Sequence, residues 1–194
     1  MIALAPPLRP ARPEDARALA DLVNFAGEGL PHYLWSGLAA PGEDPWEIGR
    51  QRQEAKIGTA EIVVVDEGAG VLAALTGYAI PAEPEPVPED MPALFRPLQE
   101  LENLAPATWY VHVLAADPEA RGRGHGTRLL AVAEALARAA GLAGMSIVVA
   151  DDNAGARRLY ARHGYHETAR RPCVRDGWET ASREWVLMTK SLPA

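Results

Sequence analysis

Arg121-Gly-Arg-Gly-His-Gly126 stands between an apolar run, Trp109-Tyr-Val-His-Val-Leu-Ala115, and a long periodic one, Thr127–Ala140. The first run is aromatic and β-branched and ends at Asp117-Pro118, which predicts a strand. The second places Leu129, Val132, Ala133, Leu136, Ala137 and Ala140 on one face and meets Gly141 at the position of a C′ stop, which predicts a helix. Glycines at 122, 124 and 126 let the backbone approach a bulky ligand closely. The first-turn N–H groups and the helix dipole favour an anion ahead of the helix, above all a phosphate. Arg121, Arg123 and Arg128 add positive charge there. Two familiar nucleotide loops fail on spacing. A Gly-x-Gly-x-x-Gly loop would end at Thr127 or Leu129, and no Lys-Ser/Thr follows for a P-loop. Taken alone, a glycine turn before a helix is as often a structural connection as a binding loop.

The pattern continues outward in both directions. Met145–Ala150 reads as a buried strand, and Asp151-Asp-Asn153 as a turn able to cap a helix over Ala154–His163 that Gly164 ends. Tyr165–Thr168 and Trp185–Thr189 supply the last strands. Upstream, Pro13-Glu-Asp15 opens a helix over Ala16–Phe25 with Leu19, Leu22 and Val23 as its apolar face. A weaker helix over 45–57 has Asp44 as its N-cap. Ile62–Val65 and Val71–Ile80 form a hairpin about the turn Asp66–Gly70. Residues 81–107 hold seven prolines and six acidic residues against the single Arg96, so the first part of this stretch is no central strand. Leu94, Leu98 and Leu101 place a short helix within it. The stretch reads either as a solvated surface insertion or as a lid or wall over a substrate cleft. The whole predicts a mixed α/β sheet with helices on both faces.

Composition excludes several classes. The 194 residues suit one domain. A net charge of −7 and a pI of about 5.3 argue against a nucleic-acid partner, since phosphate affinity comes chiefly from Lys and Arg. Cys173 is the sole cysteine, which excludes an internal disulfide framework. His32, His163 and His166 lack metal-ligand spacing, so no metal is expected. No apolar run approaches the roughly 18 residues of a membrane span. The N-terminal Met1-Ile-Ala-Leu-Ala-Pro-Pro7 lacks the basic region of a signal peptide. The expectation is a soluble, cytoplasmic protein.

Arg121-x-x-Gly124-x-Gly126, with the preceding Leu114-Ala-Ala-Asp-Pro118, resembles the acetyl-CoA signature of the GNAT N-acetyltransferase superfamily. Asn153-x-x-Ala-x-x-Leu-Tyr160-x-x-x-Gly-Tyr165 resembles that superfamily's second motif, in the right order and separated by one helix and one strand. The resemblance is sharp over about residues 109–166, looser over 9–80 and uninformative over 81–107. Ala116 stands where Val is common, and His125 where a branched apolar residue is usual, which leaves the His125 ring free to reach ligand or solvent. The resemblance implies one acetyltransferase domain over residues 8–192. Its mostly antiparallel sheet would part between two central parallel strands, here Trp109–Ala116 and Met145–Ala150. It implies acetyl-CoA as co-substrate. Leu114, Ala115, Ala116, Arg121, Gly122, Arg123, Gly124, His125, Gly126, Thr127, Asn153 and Tyr160 would bind it. The Leu114 or Ala115 N–H would polarise the thioester oxygen, where charge develops.

Amine acetylation sets two further needs. An ammonium of pKa near ~10 has no lone pair and must lose a proton. The departing thiolate must be stabilised or protonated, and the resemblance gives that task to Tyr160. His112 is the candidate base, since its titration range suits the task and some superfamily members, the arylalkylamine acetyltransferases among them, carry a histidine on this strand. By strand alternation it shares a face with Tyr110. Glu100 and Glu102 are the rival bases, and a satisfied core histidine is the bland alternative for His112. No basic partner of a catalytic triad accompanies Cys173, so direct transfer in a ternary complex is expected over a covalent acyl-cysteine. The rival class is a non-catalytic acyl-CoA-binding module, which would need neither Tyr160 nor a polar residue at 112. The acceptor, a small-molecule or protein amine, is read by neither motif. Residues 28–46 and 81–107, with Trp35, Glu43 and Trp46, are expected to frame its pocket. The sequence leaves a homodimer through the C-terminal strands open.

Overall fold

A computed structural model describes residues 2–193. Its strands are β1 (Leu8–Pro10), β2 (Glu61–Asp66), β3 (Val71–Ala79), β4 (Trp109–Ala116), β5 (Gly144–Ala150), β6 (His166–Pro172) and β7 (Glu184–Ser191). The helices are α1 (Ala16–Ala26), α2 (Leu30–Leu38), α3 (Pro45–Lys56), α4 (Arg96–Glu102), α5 (His125–Ala139) and α6 (Ala154–Arg162). The strand order is β1-β2-β3-β4-β5-β7-β6. The β1–β2, β2–β3, β5–β7 and β6–β7 pairs are antiparallel and β4–β5 is parallel, so the fold is a mixed, mostly antiparallel α/β sheet as expected. The chain divides into two compact units, Ala3–Gly77 with Val113–Leu129, and Tyr78–His112 with the chain from Leu130 onward.

In the first unit the β2–β3 hairpin turns where Asp66 accepts the Gly68 N–H at 2.8 Å. Its inward residues Ile62, Val64 and Ala74 meet Leu19 and Leu22 of α1, with Ala11, Ile57, Val71 and Ala115 packed against them. Val23 is only half-buried, so Leu19 and Leu22 carry that face. Asp44 caps α3 by accepting the Trp46 N–H at 3.0 Å. Two of these elements are absent from the sequence reading, β1 and α2, and α2 is the longer. No side chain caps α2 and its N-cap is Gly29, so the proline in its first turn is a start signal without a capping side chain to support it. Trp35 of α2 is 4% exposed and meets Trp46 edge-on at 5.7 Å. It therefore belongs to the packing of α2 on α3 and does not frame an acceptor pocket, as the sequence had suggested. Glu43 is engaged locally, accepting the Ala40 N–H at 2.9 Å.

In the second unit β5 pairs with β7 over its whole length, from Gly144 opposite Ser191 to Ala150 opposite Trp185. The predicted short helix forms as α4, with Leu101 fully buried and Leu98 half-buried. Glu100 of α4 accepts from Arg171 of β6 at 2.7 Å, which ties the proline-rich stretch to the sheet. The helix α5 begins at His125, two residues before the expected start, and ends at Ala139. Ala140 is exposed rather than on the buried face, because it lies past the last helical residue.

Candidate active site

The glycine turn and the start of α5 lie in the first unit. Gly122 and Gly124 adopt φ of +78° and +84°, and a Cβ at either would meet nothing within 4 Å. Glycine is thus required by the left-handed backbone, and the space beside it stays open. The Gly124 carbonyl accepts the Arg128 N–H at 3.1 Å, which sets the start of α5. Helix geometry then points the amides of His125, Gly126 and Thr127 out of the helix end. Arg121, Arg123 and Arg128 are exposed. Arg121 rests over the Phe25 ring at 5.9 Å and donates to the Ala116 carbonyl at 3.4 Å. Backbone amides at a helix start with cationic side chains nearby are a combination that favours an anion. Of the strand residues assigned to it, Leu114, Ala115 and Ala116 are half-buried. The Asp117 N–H anchors the strand end to the Leu72 carbonyl at 2.8 Å.

His125 departs from expectation. Its ring is 2% exposed and neither nitrogen has a hydrogen-bond partner among the described residues. It fills the place of the apolar residue usual there, and the ring does not reach solvent.

The remaining candidates lie in the second unit. The strands β4 and β5 pair at Trp109 with Met145 and at Tyr110 with Ser146. Among the described residues of this unit no pairing follows at Val111 or His112, although both strands continue. The expected parting of the parallel strands therefore begins there. Asn153 caps α6 by accepting the Ala156 N–H at 3.1 Å. The turn before it is held by the β6–β7 connection, with Ser182 hydrogen-bonded to Asp152 at 2.7 Å and the Arg183 N–H to Asp151 at 2.9 Å. This fixes the direction of α6 and so of Tyr160, which is 4% exposed beside Tyr165, with ring centres 5.9 Å apart.

His112 is exposed, not a core histidine. Its ring lies 6.0 Å from Tyr110 and 5.8 Å from Tyr78. Tyr78 is a residue that the sequence reading missed, because a lone tyrosine at the end of a hairpin strand carries no motif. Its hydroxyl donates to Glu102 at 2.8 Å. Burial pushes the Glu102 carboxyl up, the Tyr78 hydrogen bond opposes this, and Glu85 adds to it. Burial pushes the Tyr110 phenol far up, and the charges of Glu102, Tyr78 and Tyr160 act in the same direction. Tyr160, Tyr110, His112, Tyr78 and Glu102 thus share one electrostatic neighbourhood, whereas Glu100 is occupied by Arg171. Burial and then Asp151 and Asp152 push the Cys173 thiol up to about 11, which keeps it protonated near neutrality and a poor nucleophile.

Among the described residues, no group of three or more His, Cys, Asp or Glu side chains could hold a metal. No helix there is long and apolar enough to cross a membrane. A sequence model of the acetyltransferase (GNAT) family matches residues 31–165. No curated protein matches the sequence significantly. Solved structures do match. A ribosomal-protein-alanine N-acetyltransferase from Brucella melitensis superposes with a TM-score of 0.61 at 20% identity, covering 95% of this chain and 99% of that one. An IAA acetyltransferase from Bacillus cereus gives 0.56 at 13% identity over 95% and 98%. A GNAT family acetyltransferase from Elizabethkingia anophelis with acetyl-CoA bound gives 0.52 at 15% identity over 73% and 82%. At these identities the likeness establishes the fold.

Proposed function

The chain belongs to the acetyltransferase (GNAT) family, and from that premise we propose that it is an acetyl-CoA-dependent N-acetyltransferase. One domain over about residues 8–192 moves the acetyl group directly to an amine of a small molecule or protein, in a ternary complex. Acetyl-CoA is the co-substrate, and no metal takes part. The first turn of α5 with Arg121, Gly122, Arg123, Gly124, Gly126 and Thr127 takes the pyrophosphate. His125 contributes its backbone alone, since its ring is buried. Main-chain groups of Leu114, Ala115 and Ala116 take the arm and polarise the thioester oxygen. Asn153 serves α6 and the cofactor arm together.

The observation that carries the reading is the electrostatic neighbourhood of Tyr160, Tyr110, His112 and Glu102. It supports a reading in which a proton donor, Tyr160, and a proton acceptor, His112, act within one unit. His112 takes a proton from the acceptor ammonium, and the freed nitrogen forms the new bond to the acetyl carbon. As the carbon–sulfur bond breaks, Tyr160 gives its proton to the sulfur, the new carbon–nitrogen linkage sheds its second proton to solvent, and Tyr160 is reprotonated from solvent. The protonated state of Cys173 favours this direct route over an acyl-cysteine.

Thiol release from acetyl-CoA, measured across a panel of amines, tests the proposal. Tyr160→Phe is expected to lower kcat about 100-fold with little change in the KM for acetyl-CoA. His112→Ala should lower kcat and move the acidic limb of the pH–rate profile. Tight acetyl-CoA binding with no turnover on any amine would favour a binding module instead, and unchanged turnover in His112→Ala would remove that residue as base.

A further inference from the structure

Glu102 differs from Glu100, Glu167 and Glu184 in what holds it. Glu100, two residues earlier on α4, is paired with Arg171 at 2.7 Å. Glu167 and Glu184 share Arg170. Glu102 makes no ion pair among the described residues, and its hydrogen bond is to a neutral phenol, Tyr78, at 2.8 Å. The charge is also half-buried, and burial disfavours it.

The Tyr78 ring that holds this carboxylate clusters with those of Tyr110 and His112. Tyr78 and Tyr110 lie 5.3 Å apart, Tyr78 and His112 5.8 Å, and Tyr110 and His112 6.0 Å, all mutually tilted by 41° to 58°. Two of the rings reach solvent, Tyr78 being 41% exposed and His112 exposed as well. Aromatic faces attract cations through their quadrupole, and a nearby carboxylate adds a point charge. The sequence around them is uniformly negative, with Glu83, Glu85, Glu89 and Asp90 against Arg96 alone in the stretch that ends in α4. The Arg96 guanidinium is itself engaged by the carbonyls of Pro88 and Glu89. Glu102 is thus a carboxylate without a cation among the described residues, held by the Tyr78 member of a three-ring cluster.

We infer that Glu102 and the rings of Tyr78, Tyr110 and His112 form the recognition site for the acceptor's ammonium group. The acceptor is accordingly an amine that arrives as a cation. The inference rests on the transferase reading and deepens it. It gives residues 81–107 a task, since α4 carries the carboxylate into the site and Arg171 fixes α4 on β6 through Glu100. Tyr78 positions Glu102 by its hydroxyl and contributes its ring to the seat. Delivered there, the ammonium lies beside His112, the proton acceptor already assigned.

A probe that cannot be acetylated separates recognition from chemistry. Tetramethylammonium has four carbon substituents on nitrogen and no proton to lose. Tert-butanol matches its shape without the charge. Titration calorimetry or ligand-observed NMR on the full chain should show saturable binding of tetramethylammonium and none of tert-butanol. Glu102→Gln should weaken the cation about tenfold and Tyr78→Ala about fivefold. Tyr78→Phe keeps the ring and guards against a folding artefact, and it should fall between wild type and Tyr78→Ala. Tetramethylammonium should also compete with the acceptor amine and not with acetyl-CoA. No saturable binding, or equal binding in the Glu102→Gln and Tyr78→Ala proteins, overturns the seat even where amine acetylation is observed. Cation binding that these variants abolish upholds the seat even where no amine is acetylated, and in that case the transferase reading alone fails.

Discussion

Asp15 is the residue on which the entry into the first helix turns. Its carboxylate is 6% exposed and accepts from Arg9 at 2.6 and 2.8 Å and from the Arg12 N–H at 2.7 Å. Arg9 also holds Asp66 at the hairpin turn, so one guanidinium joins the start of α1 to the β2–β3 turn. Burial pushes the Asp15 carboxyl up, but the Arg9 and Arg12 hydrogen bonds outweigh it and hold the group below the usual carboxylate range. A carboxylate depressed in the folded state binds fewer protons there than when unfolded. Its stabilisation is therefore complete above the unfolded value near ~4 and is lost as pH falls through the lower folded one. Asp15→Asn is expected to cost about 2 kcal/mol at neutral pH, less than for a fully enclosed pair because Arg9 still reaches water. The gap between variant and wild type should close below pH ~4, measured by urea unfolding across that range. A gap independent of pH would show that shape, not charge, is what the asparagine disturbs. The sequence showed acids in the first turn here but not the arginine, because Arg9 lies on β1, a strand too short to carry a pattern of its own. His125 fails in the opposite sense. Its burial follows from α5 starting two residues early, and polarity alone suggested a ring that meets solvent.

At the scale of elements, the parts legible in the sequence are those whose signals are local. The hairpin, α1, α3, α5 and α6 each announce themselves by a cap, a turn or a face, and Asp44 and Asn153 cap as expected. The helix α2 does not, since Leu30-Pro-His-Tyr-Leu-Trp-Ser-Gly-Leu38 opens on a glycine without a capping side chain and is held chiefly by packing on α3. The glycine turn is the clearest case of sequence dictating backbone conformation. Gly124 stands at φ +84° with open space beside it, and its carbonyl begins the hydrogen bonding of α5. Gly124→Ala meets no clash but must hold an alanine in the left-handed region, at a cost of about 1–2 kcal/mol. If the turn relaxes instead, the first-turn amides lose their aim. The KM for acetyl-CoA should then rise about tenfold while the KM for the amine stays near wild type. Equal changes in both would mean that the substitution disturbs the fold as a whole rather than the cradle.

At the scale of the whole molecule the charge is unevenly spread along the sequence. The chain carries −7 overall, yet Arg121, Arg123 and Arg128 gather at one helix end and are exposed there. Acids dominate residues 81–107, and their count was legible in the sequence. Their purpose was not, because the pairing of Glu100 with Arg171 and the contact of Glu102 with Tyr78 join residues 71 and 24 positions apart. A negative field raises the encounter rate of a cation and is screened over a Debye length of about 10 Å at 0.1 M salt. If the acceptor is a cationic amine, kcat/KM for it should fall as salt rises. The fall should be steeper for the dication of diaminobutane than for the monocation of butylamine, since the field acts on total charge. The comparison cancels any general effect of salt on folding or on acetyl-CoA binding, because enzyme and donor are the same in both series. Parallel salt slopes for the two amines would show that the acidic stretch serves solubility and takes no part in drawing the acceptor in.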